Sequence, residues 1–442
     1  MAALTPQEEI LDALRRGFDD YGEYVNPLIA RRASLAQEPV RVVDSRGGRL
    51  LDHNGDEIED FHGTQAFGHR NPVIADAVRA YLDTGAASWF PSRVSPFAGR
   101  LARRLCERSG YYDNAFFGSS GSDAAEAGMK LARAATRRPR ILSLDRAYHG
   151  TTYGSCALMP PGIFRDPFGP HLPGVARLPF GEVDALRAAL APGDVAAVIV
   201  EPIQLEGGVR PLTEAYIAAL CELTAAHGAL LIADEVQTGL GRTGRFLNTE
   251  RWPRRPDAVL LAKQLGGGLM PCSALLTRRE LFEAAYGGGD FERAESHNST
   301  FSGNSMACAA ALGALSLVTD ALMERVRAVG DRFRAGLTAA LDGLRIFDEV
   351  RGQGLIVGVQ LRQLDHPWLS FEHFGLEGLS DRASVGFLTC HRMYRRGYYC
   401  FVCGHDWTVL RLQPRLDIET ERLDAFTAAI AEELGYLNEL AA

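Results

Sequence analysis

Between residues 140 and 262, short apolar runs alternate with stretches of helical period. Ile141–Leu144 reads as a buried strand, Val183–Leu190 as a helix, and Ala196–Val200 (AAVIV) as the next strand. Thr213 can cap a helix that places Tyr216, Ile217, Leu220, Cys221 and Leu223 on one face, with Gly228 as its stop. Ala229–Ala233 (ALLIA) and Ala258–Ala262 (AVLLA) read as further strands. Strands that are apolar on both faces and separated by helices predict an α/β fold, its mostly parallel sheet covered by helices on either side.

The two ends of the chain read differently. Residues 38–61 carry hairpin strands with glycine turns. Beyond about residue 330 a long helix leads to strand patterns at Gly354–Leu361 and Thr408–Leu412, then to a final helix. Together they predict a smaller α+β domain built from both termini, residues 1–60 and 330–442, beside a large domain over 61–329. Arg362–Asp381 (RQLDHPWLSFEHFGLEGLSD) has no clear period and reads as a loop or insertion whose aromatics pack somewhere.

A length of 442 residues suits two or three domains, and 46% hydrophobic with 23% charged residues is ordinary for a globular chain. A net charge of −8 argues against a nucleic-acid partner, and no apolar run reaches the length of a membrane span. The N-terminal MAALTPQEEILDALRRGF is a charged amphipathic helix pattern without a signal-peptide core, so a cytoplasmic protein is expected. Eight scattered cysteines do not make a disulfide scaffold. Cys400 and Cys403 form one CxxC without a second pair, which reads as reduced cysteines buried in a strand; no metal site is expected.

Three features carry candidate chemistry. Gly118-Ser119-Ser120-Gly121-Ser122-Asp123 precedes a helix, so small residues would let the backbone approach an anion at a helix N-terminus. Asp123 and Glu126 have capping-box spacing, and the same pattern fits a simple capped helix start. Asp234 ends the strand ALLIAD at its carboxyl end, where ligands of α/β sheets sit. Lys263 follows the strand AVLLA and precedes Gln264-Leu265-Gly266-Gly267-Gly268. A lysine there is desolvated, its neutral amine can attack a carbonyl, and the glycines are expected to leave room for a bulky ligand. A snorkelling surface lysine would give the same local pattern. Gly239-Leu-Gly241-Arg-Thr-Gly244 matches a dinucleotide fingerprint, which raises an NAD-dependent dehydrogenase. The residues after it, with Pro253 and Pro256, have no helical period, and that fingerprint needs a helix.

Anion loop, strand-end carboxylate and strand-end lysine are the parts that pyridoxal phosphate needs. At this point the chain resembles the class III aminotransferases of fold type I, the ornithine, acetylornithine and putrescine type, from about Tyr24 to about Gly435. The stretches that carry the resemblance are SSGSDAAEAGMKLAR, YHG at 148–150, EPIQLEGG at 201–208, LIADEVQTGLGRTG at 231–244, LLAKQLGGGLMP at 260–271, STFSGNSMACAAA at 299–311 and LRLQPRLDI at 410–418.

The resemblance implies roles. Lys263 would form the Schiff base with pyridoxal 5′-phosphate and shuttle the proton, and Asp234 would pair with the pyridinium nitrogen. Val236 would pack under the ring, Gln237 near its 3-hydroxyl, and Tyr148 on its outer face. Ser120, Gly121 and Ser122 would hold the phosphate, with His149 and Glu201 also in the cofactor site. Thr300 would reach the phosphate of the neighbouring subunit, implying a homodimer. Arg411 would hold a substrate carboxylate and Glu206 would pair with it.

Some positions depart from the family pattern. Leu205 replaces a glycine in EPIQ-Gly-Glu, Thr151 stands where an arginine is usual, and Arg415 where a proline is. With Trp89 and Phe90 on a substrate-side segment, Leu205 hints at a longer or less polar amine than ornithine. The expected activity is an ω-type transamination between an α-amino acid and an aldehyde or terminal amine. An aminomutase, racemase or decarboxylase on the same cofactor shares the lysine and aspartate; a non-catalytic relative would not keep them.

Overall fold

The computed structural model describes residues 5–30, 42–90, 94–287, 289–374 and 376–440; positions 38–41 of the expected hairpin region lie outside them. A seven-stranded sheet organises the middle of the chain. Its order is Asn114–Gly118, Ser273–Thr277, Ala258–Leu261, Leu230–Asp234, Val195–Val200, Arg140–Leu144 and Val175–Leu178. Ser273–Thr277 runs antiparallel to both neighbours, and the other pairings are parallel.

Both faces of the central strands Val195–Val200, Leu230–Asp234 and Ala258–Leu261 are buried, which is why they read as apolar runs. Successive side chains alternate between two cores. Leu231, Ala233, Val198, Val200, Val259 and Leu261 face one; Leu230, Ile232, Ala197, Ile199, Ala258 and Leu260 face the other. Helix Gly121–Thr136 covers the second face with Ala124, Ala127 and Leu131. Helix Glu214–His227 covers the first with Tyr216 and Leu220. Its cap is the expected one: the Thr213 hydroxyl accepts from the Tyr216 N–H at 3.3 Å, and Gly228 closes the helix at φ +63°.

Two smaller four-stranded sheets flank this core. One carries Val42–Arg46, Arg49–Asp52 and Glu57–Asp60, and the last pairs in parallel with Tyr398–Tyr399, so it joins segments from both ends of the chain. The other contains Phe347–Gln353, Ile356–Leu361, Val409–Leu412 and Phe401–Val402. The long helix runs over Asp320–Leu341 and so begins before residue 330. Arg415, unusual for the family, ties these parts together: it lies against Glu59, Asp417 and Glu419 with its side chain 10% exposed. The aperiodic 362–381 stretch holds three short 3-10 turns, and helix Val385–Arg395 follows it, an element that the periodicity does not announce.

Candidate active site

The carboxyl ends of Asn114–Gly118, Arg140–Leu144, Val195–Val200, Leu230–Asp234 and Ala258–Leu261 share one edge of the sheet. The residues just beyond them meet. Ser120, Gly121, Ser122, Tyr148, His149, Glu201, Asp234, Val236, Gln237 and Lys263 line one cavity of about 320 Å³, and Glu206 joins them there.

At one end of the cavity stands the N-terminus of helix Gly121–Thr136. The capping box is Ser120 with Asp123, not Asp123 with Glu126. The Ser120 hydroxyl accepts from the Asp123 N–H at 3.1 Å, and the Asp123 carboxylate accepts from Ser119 and Ser120 N–H at 2.9 and 3.0 Å. The N–H groups of the first turn have no carbonyl one turn back, so the end carries positive partial charge. A Cβ on Gly121 would stand 3.2 Å from Val236, so glycine lets the Val236 side chain pack close against the helix start. Glu126 braces the loop after Gly150, accepting from Thr152 Oγ1 at 2.6 Å and from Gly154 and Ser155 N–H at 2.9 Å. Thr151 is exposed, and its N–H donates to Ser122 Oγ at 3.3 Å.

At the other end Asp234 is buried and pairs with His149, Nδ1 to Oδ2 at 2.8 Å. Burial opposes the charged imidazole, but the hydrogen bond and charge of Asp234 outweigh it and raise the His149 pKa. The opposite ring nitrogen, Nε2, is buried without a partner. Glu201 accepts from the Tyr148 N–H at 2.9 Å, and burial lifts its pKa to about 7. Gln237 accepts at its carbonyl from Gln264 Nε2 at 3.1 Å.

Lys263 begins a 3-10 turn at φ +41°, a left-handed conformation unusual for a lysine. It is partly exposed because it borders the cavity, yet protein surrounds its amine. Burial, and next the Arg411 charge, lower its pKa against the pull of Asp234, Glu206 and Glu201. The glycines after it do not make room for a ligand. A Cβ at Gly267 would meet Ile74 at 2.5 Å and one at Gly268 would meet Gln65 at 1.7 Å, so they admit protein against the turn. Residues 239–244 form turns and not a helix; Arg242 is buried there and donates to carbonyls of Gly63 and Pro414. A dinucleotide fold over that motif is excluded on the ground given from sequence.

Arg411 and Glu206 form an ion pair beside this cavity, and Glu206 also accepts from the Gly404 N–H at 2.7 Å. Burial would raise the Glu206 pKa, but Arg411 overrides it and the pKa falls. His62, which no motif marks, sits 3.2 Å from Arg411 Nη2 through Nε2 and stacks on Tyr399. Burial and Arg411 lower its pKa to about 4.

Three expected site residues lie elsewhere. Thr300, Trp89 and Phe90 line a second cavity of about 330 Å³, apart from Lys263 in the same chain. Leu205 does not face substrate space: it is fully buried in a small cluster with Ile203, Val209, Ile356 and Val409. The apolar surface beside Glu206 comes instead from Ile163, Phe164, Phe387, Phe401 and Trp407, none of which the sequence motifs single out.

The site therefore offers an anion-binding helix end, a buried carboxylate held by an imidazole, and an amine of lowered pKa, all on one cavity. These residues fit pyridoxal phosphate. Comparison with known proteins agrees. Residues 31–434 match the family described as Aminotransferase class-III. The aminotransferase PigE of Serratia sp. (strain ATCC 39006) is 31% identical over 449 residues, 93% of this chain, and the chain spans 52% of that relative's length. The ornithine aminotransferase from Toxoplasma gondii ME49 superposes with a TM-score of 0.84 at 27% identity, covering 99% of this chain and 100% of that one. A PLP-bound amine transaminase from an uncultivated Pseudomonas species superposes with a TM-score of 0.78 at 28% identity, covering 89% and 94%. The chain belongs to the class III aminotransferases of fold type I, the family whose cofactor is pyridoxal 5′-phosphate.

Proposed function

We propose that the chain moves an amino group between an α-amino acid and an aldehyde or terminal amine, in two half-reactions at Lys263. Bound pyridoxal phosphate supplies an electrophilic carbon and an electron-withdrawing ring. The N-terminus of helix Gly121–Thr136, through Ser120, Gly121 and Ser122, holds the phosphate charge. Asp234, fixed by His149, holds a proton on the ring nitrogen. Val236, Tyr148 and Gln237 would line the cofactor's ring. Lys263, whose pKa burial and then the Arg411 charge lower, would attach the cofactor and move the proton at the substrate Cα.

The Arg411–Glu206 pair carries the choice of transamination with two unlike partners. A buried charge without a partner is costly. Arg411 holds the carboxylate of an α-amino acid when one is present, and Glu206 neutralises Arg411 when the partner has none. Thr151, in place of an arginine, offers no grip on a distal carboxylate, which leaves room for a donor such as alanine, or for glutamate held by another basic group. We further propose a homodimer with shared sites. Thr300 and Trp89 share one cavity, so both would reach the partner's cofactor and substrate together, while segments 1–60 and 330–442 form the small domain beside 61–329. The direct test adds single amino acids to the enzyme carrying its cofactor and follows the cofactor's absorbance together with the oxo acid released. Absence of any amino-acid half-reaction, or a fully active monomer by light scattering, sinks the respective part.

A further inference from the structure

The Lys263 cavity does not end at Glu206. Tyr148 and Glu206 also line a second space of about 200 Å³, whose remaining wall is largely apolar: Ile163, Phe164, Phe387, Phe401, Val402 and Trp407. That space shares Ile163, Phe164, Gly404 and Trp407 with an outer cavity of about 220 Å³, bordered by Arg146, Arg382 and His405. A run of space thus leads from Lys263, past the self-neutralised Arg411–Glu206 pair, through an aromatic chamber toward solvent.

The chamber has a built back wall. Phe371, in the 362–381 insertion, is 2% exposed and packs edge-on against Phe387 at 5.7 Å and Trp407 at 5.8 Å. Phe387 and Trp407 stack at 6.4 Å, and Arg382 covers the Trp407 ring. On the near side Phe164 stands edge-on to Tyr148 at 6.0 Å and to His405 at 5.9 Å. Buttressed aromatics around an apolar space favour a hydrocarbon chain, because the two charged groups on its wall, Glu206 and Arg411, already pair with each other.

We propose that the terminal-amine or aldehyde partner carries an unbranched hydrocarbon tail, seated in this chamber, and that the 362–381 insertion sets its length through Phe371. The inference rests on the transaminase reading above. Each methylene that enters the chamber should raise kcat/KM about fourfold, corresponding to ~0.8 kcal/mol.

The test uses the full chain with its cofactor and the series n-butylamine to n-octylamine. It measures kcat/KM and also the rise in melting temperature with each amine at fixed concentration, which needs no turnover. The expected result is a fourfold climb per methylene that levels off once the chain fills the chamber. Ile163→Asp, at a residue that is 64% exposed, should cut the step below twofold in both readouts. Phe371→Ala, behind the wall and clear of substrate, should move the plateau to a longer amine. A flat series in both readouts, or a preference for putrescine over n-alkylamines of equal length, overturns the proposal even if amino acids react. A climbing melting-temperature series without any amino-acid half-reaction leaves the chamber standing and removes the donor assignment instead.

Discussion

The Lys263 cavity and the aromatic chamber touch at Tyr148 and Glu206, yet they are built in opposite ways. The first is made at strand ends and a helix start, where backbone geometry fixes the chemistry: Asp234 closes its strand, Lys263 follows the adjacent one, and Gly121 opens a helix. The second is made of side chains from a loop at 163–164, a helix at 387 and a strand and loop at 401–407. Chemistry here is held by backbone position, and the shape around the substrate by side-chain packing between distant segments. Changes in the first should abolish reaction with every amine; changes in the second should redistribute it among amines.

The largest expected effect is Lys263→Ala, a loss of roughly ten-thousandfold or more with every substrate. The chain holds two lysines, Lys130 and Lys263, and Lys130 donates to Ser296 O and lies against His297, away from Asp234. Borohydride reduction followed by peptide mapping therefore gives a two-way answer. Label on Lys130, or turnover by the variant, breaks the assignment.

Next comes Asp234→Ala. It removes a buried carboxylate and leaves His149 Nδ1 without its acceptor, so a folded protein with a loss of about a thousandfold in kcat, ~4 kcal/mol, is expected. Single-turnover absorbance measurements check it. A loss below about tenfold would mean that another group holds the ring proton.

How these regions could be read beforehand follows from the same contrast. Alternating apolar runs marked four of the seven strands within a residue or two, because burial on both faces leaves a pattern in the chain itself; Asn114–Gly118, Val175–Leu178 and Ser273–Thr277 went unmarked. Asp234 and Lys263 were legible because the first ends a strand and the second comes two residues after one. The aromatic chamber was not: Phe164, Phe387 and Trp407 lie far apart in sequence, and no local period shows that they meet. Leu205 misled for a related reason. One apolar residue in a motif does not reveal its direction, and it turns into the Ile203–Val409 cluster rather than toward substrate. Helix Val385–Arg395 was missed beside an aperiodic insertion, and the glycines after Lys263 make space for Ile74 and Gln65, neighbours that only the fold supplies.

Arg411→Ala separates the two regions at their seam. It strips Glu206 of its buried counter-charge and removes the grip on the amino-acid carboxylate. We expect kcat/KM for alanine to fall about a hundredfold, ~2.7 kcal/mol, with a smaller loss for n-alkylamines and an unchanged step per methylene. Steady-state kinetics on both series decide it. Equal losses would mean that Arg411 serves the whole site rather than the carboxylate.

The smallest effect concerns His62, which lies between the two regions: Nε2 meets Arg411 and the ring lies edge-on to Phe401 at 6.4 Å. Burial, then the Arg411 charge, lowers its pKa from 6.5 to about 4; Asp60 and Glu206 pull the other way, and Lys263 adds to the lowering. The folded state therefore binds fewer protons than the unfolded chain between these values. The resulting stability is present in full above about pH 6.5 and is lost as the pH falls toward 4. Melting temperature should drop more steeply through that window in the unaltered protein than in His62→Gln, whose amide is neutral throughout and keeps a polar contact for Arg411. The difference should amount to a few degrees at most, about 1 °C for each kcal/mol in a chain of 442 residues. Identical pH profiles would show that His62 charges freely in the folded state, and would remove it from the neutral surroundings that the Arg411–Glu206 pair maintains.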